Sequence, residues 1–251
     1  MLVATLSLLI GMLLGGSNIP VFIVEELPKE IKRNIDDKER KNEILSILKV
    51  YEKEFKNSQK SLDKLKKKMK KLNLDRNSEK DSIYQVLNDA SDLWEKLQAS
   101  GVDNRVLVQE MLTQEEWEKI ISKSIDELSK KEVKNLEKEH KNFDKEYDKL
   151  QSAIAKQITN PERLKIIDQS FLDFKILLKD YIQSNKEKTL RYNDVFQNLN
   201  ATKSDLAEAV SFVDESRTKL FDGIVKLHFE LTEITTEEEW TKIAKSVNKL
   251  F

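Results

Sequence analysis

Beyond Pro28 the chain places apolar residues at alternating three- and four-residue steps. Ile44, Leu48, Tyr51, Phe55, Leu62, Leu65, Met69 and Leu72 make a first line, interrupted only by Ser58. Ile83, Leu87, Ala90, Trp94 and Leu97 make a second, and Val133, Leu136, His140, Phe143, Tyr147, Leu150 and Ile154 a third. A fourth joins Leu164, Ile167, Phe171, Phe174, Leu178 and Tyr181 to Tyr192, Phe196 and Leu199. The fifth runs Leu206, Val210, Val213, Leu220, Ile224, Leu227, Leu231, Ile234. A period near 3.5 residues keeps such a line facing a neighbouring helix and predicts left-handed, knobs-into-holes packing. The lines predict helices of about 30–40 residues, roughly 45–60 Å long at 1.5 Å per residue.

Polar punctuation separates the lines. NLDRNSEKD at 73–81 and NLNATKSD at 198–205 each end one helix and start the next. Ser78-x-x-Asp81 and Thr202-x-x-Asp205 resemble capping boxes with Asp in place of Glu. Asn160-Pro161 is a further start, because proline suits a first helical turn and excludes helix from the residue before it.

One phrase is written twice. Thr113, Glu115, Glu116, Trp117, Lys119 and Ile120 return 123 positions later as Thr236, Glu238, Glu239, Trp240, Lys242 and Ile243. Thr113-x-x-Glu116 and Thr236-x-x-Glu239 are capping boxes, stapled by Leu112 and by Thr235 or Ile234. Trp117 and Trp240 then sit one turn inside a new helix, placed to wedge under the hairpin that precedes each. Asn77, Lys80, Lys96, Leu97 and Glu110 match Asn200, Lys203, Lys219, Leu220 and Glu233 at the same offset. The fold class expected is all-α: an elongated antiparallel bundle, or coiled coil, of two related helical hairpins behind an N-terminal membrane helix. Its divisions are an anchor or signal segment at 1–24, a juxtamembrane linker at 25–36, a first repeat at 37–128, a connecting helix at 129–160 and a second repeat at 161–251.

Composition agrees with long helices. Of 5 Gly and 3 Pro, only Gly101, Pro161 and Gly223 lie beyond Pro28, and 35% of residues are charged. A net charge of −1 provides no global field for nucleic acid or an acidic substrate, and zero cysteine excludes disulfides, thiolate metal sites and cysteine nucleophiles.

Residues 2–24 contain no charge over a length that spans a bilayer. No basic stretch precedes them and no clear cleavage site lies beyond, which favours an uncleaved anchor over a signal peptide, with a buried core helix the third reading. Gly11 and Gly15 are a candidate membrane-helix contact, although glycine is common in such segments. Lysines and arginines follow the apolar run, which by charge alone places the rest of the chain inside. Short N-terminal anchors that export the chain downstream of them argue the reverse, and the expected location is a bacterial inner membrane with the helices on the periplasmic side.

Candidate chemistry is sparse. Glu137-x-x-His140 is half of a di-iron bundle motif, but Val225 stands three residues before His228, so no cofactor or metal is expected. His140 instead fits a polar register-setting place in its apolar line. No phosphate loop, G-x-S-x-G or H-E-x-x-H occurs in the sequence, which argues against an enzyme. The densest charge run, KSLDKLKKKMKKL at 60–72, carries its lysines on solvated faces, where acidic neighbours would be the simplest partners. Lys64, Lys67, Lys68 and Lys71 are candidate lipid contacts, with nucleic acid the less favoured ligand.

The L-T-x-x-Glu at 112–116, downstream of an export-like segment, resembles the L-T-x-x-Gln signature of Spy/CpxP-type periplasmic chaperones and stress sensors. Glu116 and Glu239 replace the glutamine, and Thr235 replaces the leucine of the second copy. The resemblance implies a helical envelope protein without an active site. The expected function is a membrane-tethered module that binds a protein partner, a second copy of itself included, or senses envelope state. A coiled-coil spacer is the alternative, and a metal-binding bundle the disfavoured third.

Overall fold

The computed structural model describes residues 27–122, positions 134, 137, 138, 148, 149, 151 and 152, and residues 154–211 and 213–248. The apolar stretch 2–24 with Gly11 and Gly15, His140, and most of the connecting segment 129–160 lie outside the described residues. So does the third apolar line except Ile154, which is buried. Among the described residues no strand occurs, and no helix is long and apolar enough to cross a membrane.

Helix α1 spans Leu27–Asn34, α2 Lys38–Leu74, α3 Lys80–Glu110 and α4 Gln114–Trp117, continued by a π-helical turn Glu118–Ser122. After the connecting segment come α5 at Pro161–Gln197, α6 at Lys203–Ser211, α7 at Val213–Ile234 and α8 at Glu237–Asn248. α2 and α5 are each 37 residues long, about 55 Å. Both start from a short polar side chain: Asp37 accepts from the Arg40 backbone N–H, and Asn160 from those of Glu162 and Arg163. Both end in a matched turn, in which Asp75 accepts from the Asn77 backbone and Asn198 from that of Asn200.

The helices lie in the order α2, α3, α6 with α7, α5. α2 and α5 are therefore the flanks, and each buries one line: Ile44, Leu48 and Leu62 on α2, Ile167, Phe171 and Leu178 on α5. The inner helices bury more than one line. Val86 is as fully enclosed as Leu87, and Val225 as Ile224, because α3 and α7 touch each other as well as their flanking partners. A single apolar line predicts only the contact within a hairpin, so this second contact was not readable from the spacing.

Two further expectations are corrected. Within the expected linker at 25–36, residues 27–36 are not a bare linker: Leu27, Ile31 and Ile35 recur every four residues and are buried where α1 packs on α2 and the π-helical turn. Ser78 does not cap α3. Its hydroxyl donates to the Leu72 carbonyl, and Glu79 holds the N-cap position without a side-chain cap. The Thr202–Asp205 box does form, with each side chain accepting from the other's backbone N–H.

If α1 is an integral part of the core, Ile31→Ala leaves a hole at a fully enclosed position. The expected loss is about 2–4 kcal/mol of unfolding free energy in urea denaturation, where a linker residue would give almost none.

Candidate functional site

Buried polar groups concentrate at two junctions, where the start of each capped helix meets the far end of the other hairpin. In the first, the Thr113 backbone N–H donates to Glu116 Oε2 at 2.9 Å, and the Glu116 N–H donates to Thr113 Oγ1 at 3.2 Å. The same carboxylate receives both Arg40 Nη1, at 3.0 Å, and Nη2, at 2.6 Å. A two-pronged arginine contact fixes orientation as well as charge. The second junction repeats the set: Thr236 donates to Glu239 Oε2 at 2.8 Å, Glu239 returns the bond at 3.2 Å, and Arg163 Nη2 donates to Glu239 Oε1. Burial opposes ionisation of Glu116 and Glu239, but the bonds from the threonines and arginines prevail and hold both below the usual glutamate range.

These caps aim the tryptophans. Trp117 is buried, and its indole Nε1 donates to the Gln197 carbonyl at 2.6 Å. Trp240 Nε1 donates to the Leu74 carbonyl at 3.0 Å. Gln197 and Leu74 are the last residues of α5 and α2, where helix carbonyls lack partners in their own helix. Each tryptophan thus closes a helix of the opposite hairpin and not, as the spacing suggested, the hairpin that precedes it.

The groups beneath the rings differ. Arg105 lies with its guanidinium carbon 3.5 Å from the centre of the Trp117 ring, a cation–π distance. Its Nη2 donates to the Phe196 and Asn198 carbonyls, both at 3.2 Å. The positive charge meets the negative end of α5. Burial pushes this guanidinium down to about 9, which leaves it charged at neutral pH. The matching position of the second hairpin is His228. It is 0% exposed, edge-on to Trp240 with ring centres 5.4 Å apart, and neither ring nitrogen has a hydrogen-bond partner. Burial lowers it to about 4, against the opposing field of Asp75. Arg76 reaches the same junction and donates to the Thr232 and Thr235 carbonyls at 2.7 and 2.6 Å. Asn73, where the first junction has Phe196, is buried with its amide unpartnered.

Thr113, Glu116, Trp117, Thr236, Glu239 and Trp240 are thus brought together with Arg40, Arg163, Arg105 and His228, which spacing did not single out. Aligning the halves at 123 residues would have paired Arg105 with His228; nothing in the sequence shows that both are buried. Lys64, Lys67, Lys68 and Lys71 stand exposed on α2. Among the described residues, no three histidine or acidic side chains come together as metal ligands, and Glu137 is exposed. The junctions hold helix ends, and the His228 imidazole is fully enclosed.

No protein-family model, curated protein or solved structure matches the chain.

Trp117→Phe keeps the ring but leaves the Gln197 carbonyl without its donor, with an expected cost of about 1–3 kcal/mol in thermal or urea unfolding. His228 yields a pH signature. Its folded pKa lies below the unfolded value near 6.5, so the unfolded chain binds the extra proton. Stability present above pH 6.5 is therefore lost as pH falls toward 4, on the order of 3 kcal/mol in all. His228→Leu should remove that component: the stability difference between variant and parent widens from pH 6.5 to 4 and is flat above 7.

Proposed function

We propose that the protein is a non-enzymatic helical binding module tethered to a bacterial membrane, a hairpin written twice with one flank kept open for a protein partner. The observation that carries the reading is the outward face of α5. Ile166, Leu172 and Ile176 are 52%, 46% and 52% exposed. The matching positions of α2 are Glu43, Lys49 and Lys53, so the solvated pattern of one flank is replaced by apolar side chains on the other. Leu172 and Ile176 are four residues apart, one above the other on the helix, which is the spacing by which a partner helix is gripped.

Duplication is supported by the matched caps, turns and tryptophan bonds of the two halves, all 123 residues apart. Anchoring rests on the uncharged run 2–24, which is long enough to cross a bilayer and would hold the helices at the periplasmic side of an inner membrane. A spacer is the second reading, favoured by the equal 55 Å flanks. A spacer has no use for the paired apolar positions Leu172 and Ile176, where the other flank carries Lys49 and Lys53 and exposes only the single Val50, and that difference favours binding.

A photo-cross-linking residue at Ile176 in native membranes should yield a defined protein adduct, reduced about tenfold or more by Leu172→Glu. An adduct from position 53 but none from 176 overturns the reading. A reporter fused after Phe251 is expected to be active in the periplasm.

A further inference from the structure

The outward face of α2 carries a second pattern, in lysine. Lys38, Asn42, Ser46, Lys49, Lys53, Lys56, Lys60, Lys64, Lys67 and Lys71 are all exposed and recur at three- and four-residue steps. At 3.6 residues per turn they fall within about 40° of one line along the helix, opposite the buried Ile44, Leu48, Leu62 and Met69. Lys38, Lys49, Lys60 and Lys71 stand eleven residues apart, as do Lys53 and Lys64, and Lys56 and Lys67. An eleven-residue step is close to three helical turns and holds a straight line. The row is about 50 Å long, with a side chain roughly every 5–6 Å.

The row is not neutralised from within. Among the described residues only Lys56 has an ion-pair partner, Glu52; Lys66, outside the row, pairs with Asp63. α2 holds thirteen basic and five acidic residues, a net +8, in a chain whose total is −1. α5, with seven basic and six acidic residues, is nearly neutral at +1. Eight like charges in a line repel one another, and a fold with acidic residues to spare leaves them facing outward. Acidic neighbours were the expected partners of these lysines, and among the described residues Lys56 alone of the row has one within ion-pair distance.

We propose that this row is a docking surface for an anionic lipid bilayer, on which α2 lies lengthwise. Three observations select a plane of negative charge. The row is straight and rises from a flank of the molecule, so every lysine reaches a flat surface together. A nucleic-acid duplex turns its backbone away within half a helical turn, about 17 Å, and would meet about a third of the row. The members that are not lysine are Asn42 and Ser46, small and polar, so the face adsorbs by charge without inserting apolar groups. Lying flat, α2 directs α5, the opposite flank, away from the bilayer. The inference stands whether or not residues 2–24 cross that bilayer.

The test uses the full chain with vesicles of phosphatidylcholine alone or mixed with phosphatidylglycerol. The ratio of the two partition coefficients isolates the charge effect from any insertion of residues 2–24. Each lysine near an anionic surface contributes about fivefold. Lys49→Gln, Lys53→Gln, Lys60→Gln and Lys64→Gln together should lower the ratio by on the order of several hundredfold, while arginine at the same four places preserves it. These side chains are exposed, and unchanged thermal unfolding confirms that the variant is folded. The chain lacks cysteine, so Ser46→Cys and Gln169→Cys place single thiols on the two flanks. A membrane-impermeant maleimide should be excluded from position 46 on the mixed vesicles and should label position 169. A ratio unaffected by the four substitutions, or equal labelling of both thiols, overturns the proposal. So does loss of duplex DNA retention in the glutamine variant with its vesicle ratio intact, which assigns the row to nucleic acid.

Discussion

A long helix ends on carbonyls that have no partner in their own helix, and the two 37-residue helices α2 and α5 end in this way at Leu74 and Gln197. Both are closed by an indole N–H delivered from the other hairpin, Trp240 to Leu74 and Trp117 to Gln197. The delivery depends on a chain of short-range choices. A threonine and a glutamate cap each other, an arginine from the start of the same hairpin grips that glutamate, and the tryptophan one residue later is aimed across the gap. Arg40 and Arg163 thereby connect the opening of each hairpin to its last helix and, through the tryptophan, to the far end of its neighbour. Neither hairpin is finished alone.

Positions 123 residues apart divide on chemistry. Where Ser100 donates to Glu54 in the first hairpin, the second has Gly223 under Leu177. A Cβ at 223 would stand 2.3 Å from Leu177 Cδ2, so the leucine fills the space that a side chain there would occupy. Lys203 bridges Asp103 at 2.6 Å, whereas the matching Lys80 and Lys226 are both cations at the edge of a cleft lined by Tyr84 and Phe229. Arg105 faces Trp117 with two carbonyl partners; His228 faces Trp240 with none. On the flanks, lysine stands against leucine and isoleucine. Positions 123 residues apart thus carry different chemistry on the outer faces of α2 and α5.

Local signals carried the architecture well. Apolar spacing located the flanking helices, and Asn160-Pro161, Thr113-x-x-Glu116 and Thr236-x-x-Glu239 marked helix starts, because a cap is made by residues three apart in the chain. The features that spacing missed depend on contacts between distant segments. Val86 and Val225 read as off the line until a second helix covers them. Leu27, Ile31 and Ile35 make too short a line to distinguish a docked helix from a linker. Ser78 resembled a cap, but the turn left its hydroxyl nearer the Leu72 carbonyl than the next helix. The targets of the two tryptophans, and the burial of His228 and Asn73, arise from how hairpin meets hairpin, which no local period encodes. The lysine row is the reverse case: its period was in the sequence throughout, hidden because a densest run at 60–72 draws the eye from Lys38, Lys49 and Lys53.

The crosswise tryptophan bonds have one further consequence. Each indole bond runs from a donor in one hairpin to a carbonyl in the other, and neither requires that both belong to the same polypeptide. Two molecules that trade their second hairpins recover the identical set of donors and acceptors. The lone chain is separated from such an intertwined pair by the local concentration that the segment after Ser122 imposes on its own partner hairpin. A higher concentration of the chain shifts that competition toward the exchanged form without altering a single contact.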